Sequence, residues 1–401
     1  MKNAKKNRNQ LILRQTKFIL FVLFAPFYCS AQDSVSSTND SKFQLHGYLK
    51  DMQSVSFIDD AKSMVSGNFI HNRINLKWNI SPNLYLRAEA RNRLYYGEQV
   101  KTTPLFGKYI DSDNGQFDLS YNVVDESSLV LNTMLDRALL NWSSNKWDVT
   151  VGRQRINWGV NLVWNPNDIF NAFNYFDFDY EERPGTDAIR IQYNTGSVSS
   201  LEIAYKISDK TKEQVGALMY KTNFRKYDIQ NFAGIYSEDI VVGTGWAGNI
   251  KNSGFKGEVS YFHPTENLSD TSGILTGSVS LDRSFKNDYF ATVSYLYNSE
   301  GKGLQYGINE LTTAALSAKR LMPFKNSFFG QVSKTFNPLL NGSIACLFSA
   351  DNNTLILLPS LALSISEDWD IALIGQSFFS DVNGVYRGLG NGIYLRLRWS
   401  Y

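Results

Sequence analysis

Basic residues recur at every second position in several short segments. In the last, Ile393–Tyr401, Arg396 and Arg398 alternate with Leu395, Leu397 and Trp399. Arg73 and Lys77 alternate with Ile74, Leu76 and Trp78, and Arg87, Arg91 and Arg93 alternate with Leu86, Ala88 and Ala90. Lys50 lies in the first segment of this kind. A period of two sends the basic set to one face of a strand and the apolar set to the other. Guanidinium and ammonium groups along one wall of a narrow, low-dielectric passage concentrate anions. The competing use of the same residues is structural, in which acids such as Glu89 pair with them and hold an interior together.

Catalytic chemistry finds little support. The chain has three histidines, His46, His71 and His263, and no Ser/His/Asp grouping set in a motif. No catalytic residue is assigned. Asp111-Ser112-Asp113-Asn114-Gly115 hints at a calcium loop, but Gly115 falls where a fifth-position ligand belongs. No metal and no cofactor is expected.

The alternation implies strands, and enough of them to decide the class. Such segments lie at 43–57, 70–80, 84–93, 130–142, 147–157, 186–193, 198–207, 216–223, 227–236, 240–250 and 255–262. Others follow at 273–283, 288–298, 326–336, 341–349, 354–365, 369–379 and 391–401. No helices are on hand to cover their apolar faces. The expected fold is all-β: a transmembrane, antiparallel, up-and-down β-barrel of about 16–18 strands, apolar toward lipid and polar toward a lumen. Short turns such as Ser143–Lys146, Asn194–Ser197, Lys251–Gly254 and Ser366–Asp368 alternate with longer loops, as in outer-membrane barrels. In a closed barrel the last strand pairs with the first, so Arg396, Arg398, Lys50, Arg73, Lys77, Arg87, Arg91 and Arg93 form one wall.

The first 31 residues read as a cleavable export signal. They hold six Lys/Arg and no Asp/Glu, with an apolar run from Phe18 to Tyr28 and Cys29-Ser30-Ala31 at the cleavage position. The remainder carries 34 basic and 38 acidic residues. The basic balance of the whole chain is therefore the signal, and nucleic acid is not expected as a partner. Of two cysteines only Cys346 follows the signal, so no internal disulfide is available. Residues 32–42 read as a short periplasmic lead, and 43–401 as the barrel of a Gram-negative outer membrane. Its partners would be membrane lipid and, through the aromatic terminus Tyr401, the barrel-insertion machinery.

Three loops are long: Gly97–Ser127, Trp158–Gly185 and Ser299–Lys325, the last containing Glu310–Arg320 as a loop helix or two short strands. The second is aromatic and acidic together. Trp158, Trp164, Phe170, Phe173, Tyr175, Phe176, Phe178 and Tyr180 are interleaved with Asp168, Asp177, Asp179, Glu181 and Glu182, followed by Arg183. So many aromatics outside the barrel would form a sticky patch. A loop folded inward, narrowing the pore, is expected, with Asp177, Asp179, Glu181 and Glu182 toward the basic wall. Packing on a neighbouring outer loop is the alternative.

Val151-Gly152-Arg153-Gln154, Trp158-Gly159, Asn165-Pro166-Asn167-Asp168, Asn171 and Arg183-Pro184-Gly185-Thr186-Asp187-Ala188-Ile189-Arg190 together resemble the alginate-export and related porin-like outer-membrane barrels. Ala172 stands where that pattern has a second proline. The resemblance covers about 40 residues and implies an 18-stranded pore, which in the alginate exporters is lined with arginines. Within the motif, Arg153 and Arg155 share the outward parity of Trp147, Val149 and Val151. An arginine at the membrane midplane costs about 2–4 kcal/mol. A bulge or the end of the membrane zone is therefore expected near Gly152, with Asp187 as a candidate partner and Arg190 close by. The functional expectation is a passive porin-like channel for small or polymeric solutes, anionic or saccharide. The alternative is a plugged barrel that binds or anchors surface polysaccharide.

Overall fold

Alternating apolar and polar residues become strands wherever a neighbouring segment can satisfy the backbone. The computed structural model describes residues 41–58, 63–113, 115–172, 185–210, 213–266, 271–304, 317–382 and 384–401. The first strands are β1 (Phe43–Phe57), β2 (Val65–Ser81), β3 (Leu84–Tyr96), β4 (Ser120–Glu126), β5 (Leu129–Ser143), β6 (Trp147–Gln154) and β7 (Thr186–Asn194). Next come β8 (Ser200–Lys206), β9 (Val215–Phe224), β10 (Tyr227–Tyr236), β11 (Asp239–Ile250), β12 (Ser253–Pro264) and β13 (Ile274–Ser284). The last are β14 (Tyr289–Asn298), β15 (Asn326–Asn337), β16 (Leu340–Ser349), β17 (Thr354–Ser364), β18 (Trp369–Val382) and β19 (Val385–Ser400).

All pairings are antiparallel, and β19 closes on β1 from Tyr48 opposite Ser400 to Phe57 opposite Asn391. One edge of β5 belongs to β3 along its length. The other edge is shared, with β4 pairing at Leu129–Met134 and β6 at Ala138–Ser143. β4 therefore stands above β6 rather than beside it, and the wall is a closed ring of 18 staves. The stretch 97–127, read as a loop, contains this extra strand and two short helices, α1 (Glu98–Thr102) and α2 (Phe106–Ile110). Its alternation is too brief to register as a strand, and β4 exists because β5 outruns β6. Of Glu310–Arg320, residues 310–316 lie outside the described residues; Ser317 and Arg320 form an isolated bridge.

The outer face is apolar. Trp142, Trp147, Val151, Ile203, Leu218, Val242, Val293, Ile344, Leu373, Ile393, Leu395 and Leu397 are exposed, while their sequence neighbours point inward. Burying one such side chain is worth about 1.5–3 kcal/mol, and lipid supplies that burial here. At the short-turn end, aromatic pairs girdle the wall: Phe43 on Trp78, Trp147 on Tyr193, and Trp369 on Trp399. No described helix is long and apolar enough to cross a membrane; the strands do so. The chain is a closed antiparallel β-barrel with an apolar outer face.

The expected bulge near Gly152 is absent. β6 keeps unbroken register with β5 and β7 through that residue, although Gly152 has φ +114°. A bulge lies instead on β5, where Asp136 is the extra residue opposite Glu89/Ala90. It sets Arg137 beside Asp136 on the inner face. Residues 1–40, on which the expected signal and most of the expected periplasmic lead fall, lie outside the described residues.

Candidate functional site

Register builds a basic wall from separate strands. Lys50 faces Arg398 on one side and His71 on the other, and Met52 faces Arg396. His71 then faces Arg93, Arg73 faces Arg91, and Lys77 faces Arg87. Directly opposed residues share a face. This face is the inner one, because the intervening Leu49, Ile393, Leu395 and Leu397 are exposed outside.

Two carboxylates sit within the wall. Arg73 bonds Glu89 and, at 2.6 Å, Asp136. Arg91 lies 3.7 Å from Asp136, and Arg87 pairs with Glu89. Arg93 donates to Asn132 and to the Ile110 carbonyl of α2. Arg398 and Lys50 both lie over the Tyr48 ring, and Lys77 over Tyr85. Lys50 and Arg73 are fully buried, whereas the Arg87 side chain is 47% exposed, and Arg93, Arg396 and Arg398 are half-buried. The wall is thus ordered by ion pairs, with accessible cations at its margins. Cations still outnumber Glu89 and Asp136 on these strands.

The opposite side of the interior is filled. Residues 156–171 run inside the barrel along β8–β13, bound to inward-facing side chains. Trp158 donates its indole N–H to Glu202 at 2.7 Å, and its carbonyl accepts from Gln230. Asn161 bonds Ser278 and Ser280, Ser278 donates to the Trp164 carbonyl, and Ser260 donates to the Pro166 carbonyl and to Asn167. Glu258, with no exposed surface, accepts from the backbone N–H groups of Val160, Asn161 and Asn167. Trp164 and Asp168 are 3% and 1% exposed, which places both inside this segment. Asp177, Asp179, Glu181, Glu182 and Arg183 lie outside the described residues.

A second segment joins the first. Leu321, Met322 and Phe324 share an apolar cluster with Val163, Trp164, Phe329, Leu347, Ile356 and Phe378. Lys319 anchors it by an ion pair with Asp239 and lies over the Tyr236 and Phe262 rings. Its carbonyl accepts from Thr276 and Asn298. Burial draws the Lys319 ammonium below the usual lysine range, and Glu238 opposes that shift.

The motif residues separate by parity. Arg190 faces the lumen and pairs with Glu202 at 2.9 Å and Asp148 at 3.4 Å. Arg153 shares the outward parity of Val151, and Asp187 lies directly opposite it. Arg153 bonds Asp187 at 2.8 Å, Asp113 at 2.6 Å and the Phe117 carbonyl. It therefore bridges the gap on the β5 edge between the end of β6 and the start of β4, bound to Asp113 and Phe117. Arg155 is exposed just beyond β6. Asp113 serves this arginine and the amides of Gly115 and Leu119, and Asp111 accepts from Ser120. Among the described residues no cluster of His, Cys, Asp and Glu forms a metal site.

Several partners went unassigned from sequence. Glu202 and Glu258 share inward parity with Ala204 and Ser260, a signal that was available. Asp136 shares that of Asn132 and Met134, whereas Arg137 is brought inside only by the bulge. No known protein family and no curated protein matches the chain by sequence. Its fold is similar to crystal structures of Acinetobacter baumannii OccAB1, with TM-score 0.58 and 10% identity over 90% of this chain and 97% of that one. OccAB4 of the same organism gives 0.56 and 12% over 91% and 100%. Pseudomonas aeruginosa OprD gives 0.56 and 7% over 90% and 95%.

Proposed function

We propose that this barrel is a passive channel for small anionic solutes, with the passage running beside the basic wall of β19, β1, β2, β3 and β5. One observation carries the reading. The interior is asymmetric, with polypeptide packed along β8–β18 and the cationic wall on the remaining strands. A solute confined to that remaining side faces Arg396 and Arg398 on β19 and Arg87 and Arg93 on β3. Single-sign charge in a low-dielectric passage favours the opposite sign. The ordered pairs of Arg73 with Glu89 and Asp136 hold the wall rigid, so these guanidinium groups need not rearrange as solutes pass.

The inward segments also favour a second reading, a plugged barrel that binds saccharide at the cell surface. Recordings in planar bilayers separate the two. The channel reading expects stepwise conductance with anion preference. A folded barrel that passes no ions and retains glycans on cells supports the plug instead.

A further inference from the structure

We infer that Glu258 is the positioning residue of the channel: its carboxylate holds residues 156–171 against the wall and so sets the width of the passage. This rests on the channel reading above.

Both ends of a short chain segment are gathered on this one carboxylate. Oε1 accepts from Val160 N at 2.5 Å and Asn161 N at 2.9 Å, and Oε2 accepts from Asn167 N at 2.9 Å. The intervening residues are bonded to β12 and β13 through Asn161, Trp164 and Pro166. Leu162 is 54% exposed between the buried Asn161 and Val163, so the segment keeps an accessible surface inside the ring it is clasped to. The thickness of chain laid on the wall is thus fixed at its two roots.

Only a carboxylate fits the role. Three N–H donors converge on two oxygens, and each oxygen must accept. An amide offers one oxygen, and its NH2 would confront a backbone N–H. Other bonds between this segment and β10–β13 use neutral groups, among them the side chains of Gln230, Ser260, Ser278 and Ser280 and the Thr244 carbonyl. Bonds to an ionised acceptor are roughly twice as strong as neutral ones. Full burial of Glu258 removes competition from water. The clasp reaches further, because Val163 and Trp164 lie beyond Asn161 and pack on Leu321 and Phe324. Loosening the first segment therefore withdraws support from the second.

The test uses the full chain with Cys346→Ser and a nitroxide on Leu162→Cys, examined as refolded barrel. Glu258→Gln and Glu258→Asp are compared with the parent; Asp keeps the charge but draws both oxygens back. Each is scored for folding by heat-modifiable mobility, for label mobility and for single-channel conductance. Both variants should mobilise the label and raise conductance by roughly twofold or more, because a constriction limits flow. Ser278→Ala, which removes two neutral bonds to the same segment, should give smaller changes. A label that stays immobile, with unchanged conductance, in both folded Glu258 variants overturns the inference. If neither parent nor variants conduct, the channel reading fails and label mobility alone decides whether Glu258 is the clasp.

Discussion

Arg73 and Asp136 meet at 2.6 Å inside the barrel, with 0% and 2% of their side chains exposed. They come from β2 and β5, on either side of β3. Asp136 keeps the inward parity of Asn132 and Met134, and the bulge sets Arg137 beside it on the same face. Charge and fold are coupled here.

Asp136→Asn should therefore have two separable effects. Removing one partner of a buried pair is expected to destabilise the barrel by about 3 kcal/mol. It also leaves the wall one charge more positive, so anion preference should rise. Urea unfolding monitored by tryptophan fluorescence reads the first effect, and reversal potential in a salt gradient the second. Stability equal to the parent would mean that Glu89 alone satisfies Arg73.

The seam gives a second prediction. Gly47 and Tyr401 exchange backbone hydrogen bonds of 2.8 and 3.0 Å, and the Tyr401 hydroxyl bonds the Arg73 carbonyl and Asn72. A Cβ on Gly47 would lie 2.1 Å from the Arg73 oxygen and 2.8 Å from the tyrosine hydroxyl. Gly47→Val should block closure and abolish the heat-modifiable band, whereas Tyr401→Phe should fold and lose about 1 kcal/mol. A Gly47→Val protein with normal heat-modifiability would show that the terminal ring can move aside.

Arg153 tests the division between inner and outer faces. Arg153→Gln strands Asp113 and Asp187, and the loss of stability should be about 3 kcal/mol. Ion selectivity should not change, because the side chain bridges the wall on its outer side. A selectivity shift comparable to that of lumen substitutions would place Arg153 in the passage.

Much of this architecture was legible from alternation alone. Each of the 18 staves corresponds to a segment with period-two patterning, and the seam followed from closure, which pairs the last strand with the first. What sequence withheld depends on neighbours far along the chain. β4 exists because β5 extends past β6, and Arg137 joins Asp136 on the inner face because β5 bulges. At Gly152 the parity argument was sound, since Arg153 does face outward. The relief comes not from a bulge but from Asp187 on β7, the candidate partner, and from Asp113 in the connection before β4, which was not foreseen. Glu258 was hidden differently. Its inward parity could be read, but its partners are backbone amides, which leave no mark in side-chain pattern.

The measurement that bears most directly on the account is reversal potential across a bilayer in a potassium chloride gradient. Parent barrel is compared with a barrel carrying Arg93→Gln, Arg396→Gln and Arg398→Gln. The parent should be anion-selective, and the triple variant should shift toward cations while its single-channel conductance persists. A conducting parent with cation preference, or a folded triple variant with unaltered selectivity, would contradict a passage along the basic wall.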